Sequence, residues 1–385
     1  MLQHFAQMMF GFFLLHCVLA ADTFAERPRT RAQQFQLWGE EVLQQIARDF
    51  WLPQQQNFAE EAALEKQSDS RQPAFMWSSG VQLSALSAAA RLNPGEFREP
   101  LNNYIAVLQT YWHEHAGIGG YDILPKSRES DRYYDDNCWI VLTLSEIHQH
   151  TGEQYHADLA KNAFRFVLSG EDSKLGGGIY WRENDRRTKN TCSNAPAIVS
   201  ALRLYQITGK GTYLSTAQKL YAWTCEHLQD EDGLFFDNMR ADGTADKRKY
   251  SYNSALMIRA NCLFHEVLKE PKYLAEAQRI ADRAKSRWLI ADNQGLRDSG
   301  RFAHMLIEAF LAVYDLDNDP RWLKVASANM IFVHDNLPDA QGRYPGRWDK
   351  VTSKQLSRYQ LFDQSSVARA YLVVSLVLQA IEARD

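Results

Sequence analysis

The chain repeats a helical unit at a nearly constant interval. Five times, a helical stretch ends in a polar turn and an aromatic residue opens the next one, at positions Phe97, Tyr155, Tyr213, Tyr273 and Trp322. The intervals are 58, 58, 60 and 49 residues. A period this long fits one helical hairpin plus one long loop per unit, so the repeat predicts a fold built from stacked hairpins.

Apolar residues recur at three- and four-residue spacing almost throughout, whereas the long alternating runs typical of strands are scarce. This pattern predicts about twelve helices, at roughly 30–50, 77–92, 97–113, 134–150, 153–169, 191–208, 211–228, 250–268, 271–288, 300–316, 320–336 and 360–382. Six hairpins with short turns on one side and long loops on the other predict an all-α closed ring, an (α/α)6 barrel. An open superhelix of hairpins is the structural alternative.

The long loops are predicted to open on one face of the ring, because each joins the second helix of one hairpin to the first helix of the next. They span residues 117–132, 170–190, 230–249, 291–300 and 336–359. Loops of this length in a compact domain are usually functional. The sequence therefore places the site at the loop-bearing mouth of the ring.

Composition limits the partners and the domain count. The 385 residues carry a net charge of -4 without a basic cluster, which argues against nucleic acid as a partner. No Gly/Ser-rich linker or compositional break interrupts residues 22–385, so we predict a single catalytic domain. The 10 Trp and 17 Tyr suit a carbohydrate site, because aromatic faces stack on sugar rings, although large helical cores also consume aromatics.

The N-terminal residues resemble an export signal. The apolar run from Met8 to Ala20 is short for a bilayer span and ends in small residues, although no Lys or Arg precedes it. We predict a signal peptide at residues 1–21, an exported (periplasmic or secreted) protein, and no stable membrane insertion after the signal is removed. The four later cysteines permit three disulfide pairings or free thiols, and they contain no CxxC spacing that would indicate zinc.

Two adjacent carboxylates, Asp135 and Asp136, stand where one of the long loops enters a predicted helix. Like charges side by side, near the rings of Tyr133, Tyr134 and Trp139, favour one protonated and one ionised group near neutral pH. A proton donor beside an anionic nucleophile is what cleavage of a glycosidic bond requires. Aspartate pairs are also common on solvated turns and at helix starts, so the pair alone does not establish catalysis.

Polar clusters open the later helices at matching places. They are Lys189–Asn194, Tyr252–Ser254, Asp298–Arg301 and Asp363–Ser366. A single cluster of this kind is more often a helix cap than a ligand contact. Their recurrence around a ring predicts a polar pocket at the mouth.

The chain resembles glycoside hydrolase family 76, the endo-α-1,6-mannanases, from about Trp77 to its C-terminus. The segments that carry the resemblance read YYDDNCWI, GGGIYWREN, KNTCSNAPAI, YSYNSALMIRA and LFDQSSVARA. The resemblance implies an (α/α)6 barrel, an α-mannan-like oligo- or polysaccharide substrate, and no cofactor or metal. It also implies that Asp135 is the nucleophile and Asp136 the general acid/base of a retaining double displacement, cleaving α-1,6-mannosidic linkages.

Further substrate contacts are expected around this pair. Asp237 is expected to bind sugar hydroxyls in a neighbouring subsite, and Trp181 to stack on a mannose ring. The other candidates line the pocket or cap their helices: Tyr134, Asn190, Asn194, Tyr252, Asn253, Asp363 and Gln364. Arg297, Arg301 and Arg347 are more basic than a neutral mannan requires, and structural ion pairs are their default interpretation.

Two other functions compete. A sugar epimerase of the N-acylglucosamine 2-epimerase type would use the same barrel with histidines as acid/base groups, here His148, His150, His265 or His304. A non-catalytic glycan-binding protein would keep the barrel without the chemistry, and intact aspartates argue against it. A metal-dependent isoprenoid synthase would need a further acidic residue shortly after the pair, but Asn137, Cys138 and Trp139 follow instead.

Overall fold

The computed structural model describes residues 29–63, 71–127, 130–351 and 356–384, and within these ranges the chain forms twelve α-helices of 15 to 22 residues. They are α1 (Arg31–Phe50), α2 (Met76–Leu92), α3 (Pro94–Leu108), α4 (Tyr134–Thr151), α5 (Gln154–Ser169), α6 (Thr191–Thr208), α7 (Gly211–Leu228), α8 (Ser251–Leu268), α9 (Pro271–Trp288), α10 (Gly300–Asp317), α11 (Pro320–Asn336) and α12 (Leu361–Glu382). The twelve predicted helices are confirmed. The predicted signal peptide lies outside the described residues.

The even-numbered helices form a closed inner ring, in which α2 contacts α4, α4 contacts α6, and so on round to α12, which contacts α2. Each odd-numbered helix packs outside against its hairpin partner, and α1 packs on α12. Residues from Arg31 onward form one compact unit. The (α/α)6 barrel is therefore confirmed, and the open superhelix is excluded by the contact between α12 and α2.

Residue patterns explain which helices lie inside. Every residue of α6 from 191 to 202 is buried, and a helix that is apolar or small-residue on all faces must be surrounded by other helices. By contrast, α9 buries one stripe, made of Ala277, Ile280, Ala281, Ala284 and Trp288. By length and composition alone, α12 would be long enough to span a membrane; 83% of its apolar window is buried inside the barrel, as its inner position requires.

The third helix differs from the prediction at both ends. It begins at Pro94 rather than at Phe97, because proline is accepted in the first turn, where its missing N–H costs no hydrogen bond. It ends at Leu108, where a 3-10 turn leads into a β-hairpin. The aromatic that opens the repeat therefore lies one turn inside this helix.

Short antiparallel strands occupy the long loops, and because none exceeds six residues they leave no long alternating pattern in the sequence. They are β1 (Trp51–Leu52), β2 (Asn57–Phe58), β3 (Glu61–Ala63), β4 (Trp112–His115), β5 (Ile118–Tyr121), β6 (Tyr180–Arg182), β7 (Asp185–Asn190), β8 (Asn238–Arg240), β9 (Ala245–Asp246) and β10 (Arg358–Gln360). Strands β6 to β9 form one four-stranded sheet, in which Thr188 faces Arg240. This sheet joins two consecutive mouth loops, so the loops support one another.

The pairing of β3 with β10 joins the two ends of the ring. Gln360 pairs with Glu61, and the amide of Leu361, the first residue of α12, donates to the carbonyl of Glu60 at 2.9 Å. The segment after α1 is thereby fixed at the seam between α12 and α2. The N-terminal ends of all six inner helices surround the mouth that these loops border.

Candidate active site

Asp135 and Asp136 lie in the first turn of α4, at the mouth of the barrel. Asp136 is 8% exposed, and Asp135 is half-buried. The amide of Asp136 donates to Oδ1 of Asp135 at 3.0 Å, and the indole nitrogen of Trp181 donates to Oδ2 at 2.9 Å. Two donors therefore hold the Asp135 carboxylate in a fixed orientation.

Burial separates the proton affinities of the two acids. It raises the pKa of Asp135 to about 6, while the hydrogen bonds from Trp181 and from the Cys192 thiol oppose the rise. It raises the pKa of Asp136 well above its ordinary value, and repulsion from Asp135, Asp131 and Glu60 adds to the effect. Asp135 ionises first because its hydrogen bonds stabilise the carboxylate, and Asp136 keeps its proton.

Aromatic rings from four inner helices meet beneath the mouth. Trp77 of α2 lies 6.3 Å from Tyr252 of α8, and Tyr252 stacks on Phe302 of α10 at 4.5 Å. Phe362 of α12 meets Trp77 edge-on at 4.3 Å. These four residues, called here the aromatic floor, are the second or third residues of their helices and bridge opposite sides of the ring, from α2 to α8.

Trp181 presents the most exposed of the large aromatic faces at the mouth. It is 40% exposed, and its ring meets that of Tyr133 edge-on at 5.1 Å. Its strand, β6, is tied to the start of α4 by a bridge between Tyr133 and Arg182. The predicted stacking residue therefore lies beside the predicted nucleophile, and part of its side chain is open to solvent.

Other predicted residues lie further round the mouth. Asp237 accepts a hydrogen bond from Asn238 at 3.1 Å and lies 3.4 Å from Arg248. Asp363 pairs with Arg301 at 3.1 Å. The ion pair of Arg301 agrees with the default interpretation of this arginine, and Arg347 likewise pairs with Asp349.

Two predicted substrate contacts, Asn194 and Gln364, have a different role. The Asn194 side chain accepts from the amide of Ile179 at 2.8 Å and donates to its carbonyl at 2.9 Å. Gln364 binds Tyr344 in the same way, at 2.9 and 2.8 Å. Both side chains are fully buried, so they clamp loops and have no exposed atom with which to bind a sugar.

The same clamp occurs at Asn137, which was not predicted and which holds both backbone groups of Tyr121. Asn137, Asn194 and Gln364 are each the fourth residue of their helix. In the sequence, the recurrence of polar residues at the helix starts predicts a polar pocket. Part of that recurrence comes instead from side chains that bind the backbone of the loops. Loop carbonyls and amides brought against buried helix ends need partners.

Three further candidates are placed in the interior. Tyr134 is fully buried and stacks on Phe166 at 4.8 Å, on the side of α4 that faces α5. Asn253 is fully buried, with its amide 3.4 Å from the carbonyl of Phe236. Asn190 is 6% exposed, and its carbonyl accepts a hydrogen bond from Asn194. Tyr134 and Asn253 therefore support the site from below.

The four cysteines after the N-terminal segment are all free thiols. Cys192 lies in the first turn of α6, beside Asp135. Of the aromatic floor, the sequence predicted Tyr252 alone, and it also missed Glu60. Glu60 lies in an irregular segment without a motif, and the floor is assembled from single rings on four helices, so neither leaves a local signal.

A carboxyl group that keeps its proton, beside one that ionises first, is the pair that a glycoside hydrolase needs. Residues 40–312 match the sequence profile of glycosyl hydrolase family 76. The structure is similar to that of a GH76 α-mannanase of Bacteroides thetaiotaomicron, with a TM-score of 0.86, 32% identity, and coverage of 90% of this chain and 97% of that one. The chain belongs to glycosyl hydrolase family 76.

A more distant structure has the same fold. It is an inactive double-aspartate variant of an α-1,6-mannanase from Salegentibacter sp., in complex with α-1,6-mannotriose. The TM-score is 0.74 at 21% identity, with coverage of 89% of this chain and 99% of that one.

Curated relatives match over shorter stretches. A Schizosaccharomyces pombe protein whose name proposes a mannan endo-1,6-alpha-mannosidase is 32% identical over 113 residues, which are 27% of this chain and 26% of that protein. The cellobiose 2-epimerase of Eubacterium cellulosolvens is 28% identical over 184 residues, 45% of each chain. The matched region thus spans less than half of either relative.

Proposed function

We propose that the protein hydrolyses α-1,6-mannosidic linkages of mannan-type glycans by a retaining double displacement. The observation that carries the proposal is the arrangement of Asp135 and Asp136, adjacent at the barrel mouth with unequal proton affinities. The α-mannanase similarity over 90% of the chain, and the α-1,6-mannotriose bound to the Salegentibacter enzyme, support the choice of substrate.

Asp135 is the nucleophile in this mechanism. Its carboxylate attacks the anomeric carbon, the bond to the glycosidic oxygen breaks, and a covalent glycosyl-enzyme forms. The donors from Trp181 and from the Asp136 amide stabilise the anionic carboxylate. An oriented carboxylate that ionises near pH 6 is available for attack at neutral pH.

Asp136 is the general acid and then the general base. Its proton passes to the departing glycosidic oxygen, so that the leaving sugar departs as an alcohol. Asp136 then removes a proton from water, and the resulting oxygen attacks the anomeric carbon and releases Asp135. Burial among carboxylates keeps Asp136 protonated until the first step.

The epimerase alternative has less support from the site. His148 and His150 lie in the last turn of α4, and His265 lies in the last turn of α8, at the opposite end of the barrel from the mouth. His304 lies one turn inside α10, 3% exposed, where burial lowers its pKa to about 4. None of these four histidines shares the mouth with the aspartate pair.

The test is hydrolysis of linear α-1,6-mannan by Asp135→Asn and Asp136→Asn. Each variant is expected to lose activity while its helical circular dichroism stays unchanged. Asp158→Asn, on the exposed face of α5, is the matched control and is expected to retain wild-type turnover. Near-normal turnover by either site variant would overturn the assignment of roles, and an initial β-anomer in an NMR time course would exclude retention.

Export is a separate prediction, because it rests on the sequence of residues 1–21 alone. We propose that the enzyme acts outside the cytoplasm. Cell fractionation with N-terminal sequencing of the mature protein tests this, and an intact Met1 in a cytoplasmic fraction would contradict it.

A further inference from the structure

Glu60 lies at the barrel mouth, in the segment between α1 and α2. Its Oε2 accepts a hydrogen bond from the amide of Phe75 at 2.8 Å, and its Oε1 accepts one from the hydroxyl of Ser78 at 2.8 Å. Its own carbonyl binds the amide of Leu361. The carboxyl group is therefore fixed between the starts of α2 and α12.

Capping of α2 does not by itself account for this residue. A carboxylate at a helix N-terminus is usually exposed and readily ionised, because the helix dipole and the free amides favour the anion. Glu60 is instead half-buried, and burial raises its pKa to about 7 against the opposing effects of Phe75, Ser78 and Arg301. Arg301 donates two hydrogen bonds to Asp363, so this cation is bound to another carboxylate.

The start of α2 is tied to the start of α4, which carries the two aspartates. The amide of Met76 donates to the carbonyl of Ile123 at 3.0 Å, and the amide of Ile123 donates to the carbonyl of Asp131 at 3.2 Å. One turn deeper, a Cβ placed on Gly80 would lie 3.3 Å from the Cβ of Trp139. Asp136 precedes Trp139 by three residues and so lies on the same face of α4, the face toward the N-terminal part of α2, where Ser78 holds the Glu60 carboxylate.

We propose that Glu60 is a third carboxyl group of the reaction centre, a positioning residue whose charge keeps the proton on Asp136. That the Asp136 proton is used in catalysis rests on the proposed function. The electrostatic coupling between Glu60 and Asp136 does not. Glu60 neither donates nor accepts a proton during the reaction. It sets the protonation state in which Asp136 meets the glycosidic oxygen.

The charges around Glu60 and Asp136 determine the direction in which Glu60 shifts the pKa of Asp136. Asp136 is faced by three carboxyl groups, Asp135, Asp131 and Glu60, and each raises its pKa. Glu60 in turn is faced by Arg301 of α10, by Glu61, and by the phenols of Tyr104 and Tyr111. Since Arg301 is the cation that acts on Glu60 and is bound to Asp363, Glu60 adds negative charge beside Asp136 once it ionises.

The three acids are expected to ionise in sequence as the pH rises. Asp135 ionises near pH 6, Glu60 follows near pH 7, and Asp136 ionises last. When Glu60 becomes anionic, Asp136 becomes harder to deprotonate, and the active form of the enzyme persists to higher pH. A neutral residue at position 60 would remove this extension.

Glu60→Gln tests the proposal, because it removes the charge and keeps the size. We expect the alkaline limb of kcat/KM on α-1,6-mannan to move to lower pH by about one unit, the order of shift produced by a nearby charge. The matched control is Glu61→Gln, whose carboxylate pairs with Arg358 and is not among the charges that act on Asp136. An alkaline limb that coincides with that of the wild type would overturn the proposal.

Titration of the Asp136 carboxyl carbon by NMR gives a second measurement that needs no substrate. In the wild type, labelled at aspartate and assigned with Asp136→Asn, the resonance should show an inflection near pH 7, where Glu60 ionises. Its absence would overturn the proposal even if Glu60→Gln failed to fold. Its presence in a protein that does not cleave mannan would sustain the coupling and reject the proposed function instead.

Ser78→Ala separates charge from capping. This variant removes one cap hydrogen bond and leaves the Glu60 carboxylate in place. We expect Asp136 to titrate close to its wild-type pH, because Glu60 is still anionic at the higher pH where Asp136 ionises. A downward shift equal to that of Glu60→Gln would show that the cap and not the charge controls the proton, and would overturn the proposal.

Discussion

The indole nitrogen of Trp181 donates a 2.9 Å hydrogen bond to Oδ2 of Asp135. One residue thus orients the proposed nucleophile with its ring edge and carries the ring face that we propose stacks on a sugar. Because the hydrogen bond favours the ionised carboxylate, it lowers the pKa of Asp135 against the effect of burial. The indole ring of Trp181 and the carboxylate of Asp135 are therefore coupled. Substitutions at Trp181 can separate its hydrogen bond to Asp135 from its aromatic face.

Trp181→Phe keeps an aromatic face but removes the donor. The pKa of Asp135 should then rise above about 6, and since Asp135 must be ionised to attack, the acidic limb of kcat/KM should move to higher pH. Activity should fall most below pH 6 and recover in part as the pH rises. A pH–rate profile on α-1,6-mannan measures the shift.

Trp112→Phe is the matched control for this prediction, because the Trp112 indole also donates to a carboxylate, Glu114 at 3.2 Å, away from the aspartate pair. It should leave the acidic limb in place. An unchanged limb in Trp181→Phe would mean that the hydrogen bond to Asp135 does not tune the nucleophile.

Much of this architecture could be predicted from the sequence, because the inner helices, the repeat and the aspartate pair leave local patterns. The clamps illustrate what could not be predicted. Asn194 at a helix start looks the same in sequence whether it faces a sugar or the backbone of Ile179, and only the fold brings that loop within 2.8 Å. Glu60 depends likewise on contacts with residues far along the chain, such as Leu361.

The two aspartates should respond differently to the leaving group and to azide. An Asp136→Ala variant lacks the acid, so it should still form the glycosyl-enzyme from an activated aryl α-mannoside, and azide should then yield the α-mannosyl azide. Asp135→Gly lacks the nucleophile, so azide should attack the substrate directly and yield the β-mannosyl azide. Product analysis by NMR distinguishes the two, and exchanged products would reverse the roles assigned to Asp135 and Asp136.

Asn194→Ala should loosen the loop that carries Trp181. The substitution leaves the buried amide and carbonyl of Ile179 without partners, at a cost of roughly 1–3 kcal/mol for each group. Because Trp181 follows two residues later, its hydrogen bond to Asp135 should weaken as well. Thermal unfolding should show the lost stability, and the acidic limb should shift in the same direction as in Trp181→Phe.

Asn162→Ala, on the exposed side of α5, is the control for the amide truncation and should leave both stability and pH dependence close to those of the wild type. If Asn194→Ala lost stability but kept the acidic limb in place, the clamp would support the fold without positioning Trp181.

Below the aromatic floor, Arg369 joins two inner helices through paired hydrogen bonds of 2.9 to 3.1 Å to Glu146 of α4 and Glu308 of α10. Arg369→Met removes a buried guanidinium from two half-buried carboxylates, although Glu308 keeps Arg259 at 3.5 Å. Breaking a buried pair costs about 3–5 kcal/mol. The pKa of Glu308 is lowered from 4.5 to about 2, chiefly because Arg369 outweighs the effect of burial. A depressed folded pKa stabilises the protein above the unfolded value, so this contribution should be lost as the pH falls from about 4.5 toward 2. Chemical denaturation of wild type and Arg369→Met at pH 7 and at pH 3 measures both effects, and the difference between the two proteins should shrink at the lower pH.

Arg321→Met removes the cation of a pair with Asp282 in which both side chains are 40% or more exposed. That control should cost under about 1 kcal/mol. An equal loss in the two variants would show that the buried network contributes no more than a surface ion pair.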